Sequence, residues 1–77
     1  MKSENTEPYQ NLANAIVLCA VKDYRQALRR LKRKPRNKDA AAERDSIEEF
    51  FRSDWFAVLT ELDPEYLITE LNKEIFG

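Results

Sequence analysis

The sequence predicts an all-α fold, a compact bundle of four helices with no sheet, and three observations carry that prediction. Glycine occurs once, at Gly77, and proline only at Pro8, Pro35 and Pro64, so long stretches lack the residues that interrupt regular structure. Apolar residues recur at steps of three and four, the period of a helix face packed on a core. Period-two alternation, the mark of a half-buried strand, is absent over any useful length.

The first helix is predicted from Leu12 to Lys34, where Val17, Val21, Tyr24, Leu28 and Leu31 form the inward stripe. Its first half, Ala15 to Val21, is apolar nearly all round, which calls for other helices or a second copy of the chain to cover more than one face. Pro35 ends the helix, because its ring cannot continue the hydrogen-bond ladder and it drives the preceding residue out of helical geometry. Asn37 is placed to cap a second helix, with Asp39 in the first turn and Ile47, Phe50 and Phe51 as the apolar stripe. Ser53 can cap a short third helix carrying Trp55, Phe56, Val58, Leu59 and Leu62; the alternative is a second helix that runs through Arg52-Ser53-Asp54 with a kink. Asp63-Pro64-Glu65 supplies a cap, a proline at the first helical position and an acid in the first turn, so a fourth helix runs to about Ile75 with Leu67, Ile68, Leu71 and Ile75 inward.

The expected architecture is therefore one long N-terminal helix, two medium helices and one short helix, forming a single domain over residues 10–76 after a flexible segment at 1–9. Phe50, Phe51, Trp55 and Phe56 are expected to form the densest part of the core, with loss of Trp55 costing about 3–5 kcal/mol.

With 43% hydrophobic and 35% charged residues, the composition of this 77-residue chain is that of a globular domain. The single cysteine, Cys19, cannot form an internal disulfide, which points to a reducing compartment and hence to a cytoplasmic protein. The polar stretch Met1 to Pro8 lacks the apolar core of a secretion signal. The longest apolar run, Ala15 to Val21, falls far short of the roughly 20 residues a membrane-spanning helix needs.

Charge is the strongest feature. Residues 1–38 carry ten bases and three acids, residues 39–77 three bases and eleven acids, so a net charge of −1 conceals a strongly dipolar chain. The basic block comprises Lys22, Arg25, Arg29, Arg30, Lys32, Arg33, Lys34, Arg36 and Lys38, opposed only by Asp23. Three uses remain open for it: neutralisation by the acidic half of the same chain, an acidic protein partner, or the phosphates of DNA or RNA. A helix-turn-helix reading of the second and third helices fails, because the segment Trp55 to Leu62 is apolar and acidic and has nothing with which to read base edges.

Catalytic chemistry finds little material. The chain has no histidine, which removes the usual general base and metal ligand, and no internal glycine with which to build a phosphate loop. Cys19 sits in the most apolar stretch and is expected to be buried and inert. Neither an enzymatic activity nor a cofactor is expected. A homodimer through Leu12, Ile16 and Cys19 is the alternative to complete burial of the first helix.

The stretches Asn11-Leu12-Ala13-Asn14-Ala15-Ile16-Val17 through Asp23-Tyr24-Arg25, and Phe50-Phe51-Arg52-Ser53-Asp54-Trp55-Phe56 through Leu62-Asp63, resemble small helical proteins encoded by phages and integrated mobile elements of Gram-positive bacteria. The resemblance spans roughly Asn11 to Leu71. It implies an accessory protein made in the cytoplasm of a bacterial host, with no site residues to carry over. The function expected on these grounds is protein–protein binding, such as inhibition or modulation of a host or defence factor. The alternatives are a DNA- or RNA-binding regulator using the basic end of the first helix, and a structural subunit of a larger assembly.

Overall fold

The computed structural model describes residues 7–77, with side chains from Asn11 onward. It contains four helices and, among the described residues, no strand: α1 Glu7–Arg33, α2 Lys38–Phe51, α3 Asp54–Leu59 and α4 Pro64–Phe76. The all-α bundle is as expected, and Arg52-Ser53-Asp54 is a true break rather than a kink. Of the segment predicted as flexible, residues 1–6 lie outside the described residues, and 7–9 open α1.

Each boundary has a local cause. Arg33 is the last residue of α1, and the chain turns through Lys34 to Asn37 with the Asn37 amide donating to the Lys34 carbonyl at 3.0 Å. Asn37 is extended, and its side chain accepts from the Ala40 amide at 3.0 Å, which satisfies a donor the first turn of α2 would otherwise leave orphaned. Asn37→Ala is expected to cost about 1 kcal/mol and Asn37→Gly only a few tenths, a difference that chemical denaturation resolves. At the next boundary the Ser53 hydroxyl acts on both sides, donating to the Phe50 carbonyl at 2.6 Å and accepting from the Phe56 amide at 3.3 Å. Asp63 caps α4 through the Glu65 amide, with Pro64 at its start.

Because α1 has 27 residues it is about 40 Å long, and the molecule, at 51 × 20 × 20 Å, is elongated along it. α2, α3 and α4 all pack on α1. Tyr24 meets Glu48 and Arg30 meets Glu43, so α2 runs antiparallel to α1. Tyr24 also meets Asn72 and Lys32 meets the Ile75 carbonyl, so α4 returns parallel to it.

Val17, Val21, Tyr24, Leu28 and Leu31 are all buried, as the periodicity predicts, and they meet Phe51, Phe56, Ile68, Leu71 and Ile75. Four rings form the centre: Phe51 lies 5.5 Å from Tyr24 and 5.3 Å from Phe56, and Phe50 lies 5.7 Å from Phe56, all near edge-to-face. Tyr24 takes the place expected for Trp55, which is 60% exposed. The reason is helical phase. The Ser53 cap starts α3 afresh, and with Phe56 and Leu59 turned to the core, Trp55 and Val58 fall on the other side of a helix only six residues long. Leu62 lies beyond α3 and is also exposed.

Candidate functional site

α1 sorts the basic block by helical phase. At about 100° per residue, Arg25 and Lys32 fall on the flank facing α4, Arg30 on the flank facing α2, and Lys22, Arg29 and Arg33 along one outward line between them. The flanking groups are engaged. Arg25 grips Glu74 in two hydrogen bonds of 2.9 and 3.2 Å, Arg30 donates to Glu43 at 3.2 Å, and the Lys32 ammonium donates to the Ile75 carbonyl at 2.9 Å, satisfying an acceptor near the end of α4. As exposed ion pairs, those of Arg25 and Arg30 are each worth about 1 kcal/mol or less.

Lys22, Arg29, Arg33, Lys34, Arg36 and Lys38 have no acidic side chain within 4.0 Å among the described residues. Internal neutralisation thus accounts for the flanks of the basic block and not for its outward line. Arg29, Lys32 and Arg33 border a recess of about 370 Å³. A second recess of about 360 Å³ on the other side of Lys32 is lined by Leu31, Pro35, Arg44 and Phe76.

At the other end of the molecule several large apolar side chains are exposed. From Asn11 onward Val17 is the first buried residue of α1; ahead of it Leu12 is exposed and Ile16 half-buried, and beyond it Leu18 is 66% exposed. Cys19, expected to be buried, is exposed: it lies two residues from both Val17 and Val21, about 200° around the helix from the core stripe. Complete burial of the apolar half of α1 is likewise excluded, since α2, α3 and α4 cover one side of it. On α3, Trp55 and Val58 are one turn apart and 60% and 76% exposed; Leu62 and Tyr66 are exposed between α3 and the first turn of α4.

That second surface escapes sequence reading because Trp55/Val58 and Phe56/Leu59 are two equally apolar stripes on the same short helix. A polar contact whose partners stand 24 and 48 positions apart in the chain carries no local sequence signal. The buried Tyr24 hydroxyl donates to Glu48 Oε2 at 2.6 Å and accepts from Asn72 Nδ2 at 2.9 Å, joining three helices. Burial first, and then the bond to Glu48, push the Tyr24 pKa well above its ordinary value. On the surface, Arg52 bridges Glu48 and Glu65, and its hydrogen bond holds the Glu65 carboxyl below the usual range.

Among the described residues no group of three or more His, Cys, Asp or Glu is placed to hold a metal ion, and no helix is long and apolar enough to cross a membrane. No protein-family model matches the chain, and neither curated proteins nor solved structures show significant similarity to it.

Proposed function

We propose that this chain is a non-enzymatic accessory protein of a phage or mobile element that works in the bacterial cytoplasm by binding another protein. Inhibition or modulation of a host or defence factor is the form this takes. The observation that carries the reading is the exposed apolar surface of α3 and the start of α4, with Trp55, Val58, Leu62 and Tyr66 in water. Trp and Tyr are the residues most enriched at the energetic centres of protein interfaces, and clustered apolar exposure marks interaction surfaces. A chain without histidine supports binding over catalysis, and the resemblance to phage-encoded proteins supplies the context.

The test is comparative capture from a Gram-positive host. A protein retained by the tagged wild type is expected to be lost by the Trp55→Ser/Val58→Ser double variant, with helicity unchanged by circular dichroism because both side chains are exposed. If the two forms retain the same proteins, this surface is not the contact. Exposure of Leu12 and Cys19 favours a second reading, a homodimer through Leu12, Ile16 and Cys19, in which two copies pair along α1. Light scattering decides it: a mass of twice 9.1 kDa that Leu12→Ser returns to the monomer supports the pairing, and a monomer at all concentrations rejects it.

A further inference from the structure

The outward line of α1 is a charged surface with no counterpart inside the molecule, distinct from the apolar surface assigned to a protein partner. We propose that Lys22, Arg29 and Arg33, continued through the turn by Lys34, Arg36 and Lys38, hold the phosphate backbone of duplex nucleic acid without reading its sequence.

Position supplies the first argument. Lys22, Arg29 and Arg33 sit at i, i+7 and i+11 of one unbroken helix, so they face the same way over about 16 Å. A duplex advances about 3.4 Å per base pair, so this line follows roughly five pairs. Cations matched to phosphates release the condensed counterions of the duplex, and none of these six must first give up an acidic partner among the described residues. Arg29 and Arg33, one turn apart on this line, border the same 370 Å³ recess.

What the surface lacks narrows the ligand. Binders of single strands interleave cations with aromatic side chains on which bases stack. From Lys22 to Lys38 the only aromatic is Tyr24, and it is wholly buried. Base reading needs side chains that match a donor and acceptor pattern in the groove, whereas this line presents only positive charge, with Gln26 the lone exposed amide beside it. The chemistry left is backbone contact with a duplex, DNA or RNA.

Fluorescence anisotropy tests this with the full chain, two labelled DNA duplexes of unrelated sequence, an RNA duplex, the corresponding single strands and poly-glutamate. Both DNA duplexes are expected to bind alike, with affinity falling about a thousandfold between 50 and 200 mM salt for six phosphate contacts. The Lys22→Gln/Arg29→Gln/Arg33→Gln variant is expected to lose about half of the salt slope. All three residues are exposed, so circular dichroism is expected to show the helix content unchanged. Trp55→Ser/Val58→Ser is expected to bind duplex as the wild type does, so the two surfaces fail or succeed independently. Four results overturn the proposal: no duplex binding at 50 mM salt, tighter binding of single strands, equal or tighter binding of poly-glutamate, or an unchanged slope in the triple variant.

Discussion

Phe51→Ala is expected to remove a large share of the protein's stability, about 3–5 kcal/mol. Phe51 is fully buried and its ring meets Tyr24, Phe50 and Phe56, so truncation opens a cavity at the point where α1, α2 and α3 join. Deleting a buried phenyl ring costs about 3–5 kcal/mol, and native domains hold about 0.05–0.15 kcal/mol per residue, which for 77 residues is about 4–12 kcal/mol in all. Trp55→Ala, a larger truncation by volume, is expected to change stability by less than about 1 kcal/mol because its ring already stands in water. Urea unfolding followed by circular dichroism compares the two, and equal losses would return Trp55 to the core.

Tyr24→Phe is expected to cost about 1–3 kcal/mol although it removes a single oxygen. The ring packing survives, but Glu48 loses a donor and Asn72 an acceptor in a half-buried setting between three helices. The same hydroxyl gives the fold an alkaline limit. Its pKa is raised in the folded state, so its contribution is fully present below the ordinary tyrosine value of about 10 and is lost progressively as pH rises beyond that, when the unfolded chain ionises first. Stability of the wild type is expected to fall across that window, and Tyr24→Phe to remove this component of the decline.

The sequence made the order of helices legible because each boundary has its own chemistry: Pro35 with Asn37, Ser53, and Asp63 with Pro64. It made the inward face of α1 legible because 27 residues give a period many turns to declare itself. α3 is too short for that. Over six residues, which of two apolar stripes turns inward is decided by how α1 and α2 meet it, a tertiary matter that local pattern does not contain. The basic block divides in the same way. That it is basic is written in the chain, but which cations find an acid depends on where α2 and α4 lie around α1. The exposed apolar surface is hidden for the converse reason, since Trp55 reads as core until a packed structure leaves it out.

The outward face of α1 changes character at Lys22, with Leu18 and Cys19 exposed in the turn before it and cations along it from Lys22 onward. Such a rod has a direction, as an arrow does. A ligand laid along both halves meets a greasy section and a charged section in fixed order, and reversing it sets charge against hydrocarbon and hydrocarbon against unneutralised guanidinium. Any assembly that engages the full length of α1 therefore inherits a defined polarity from one helix.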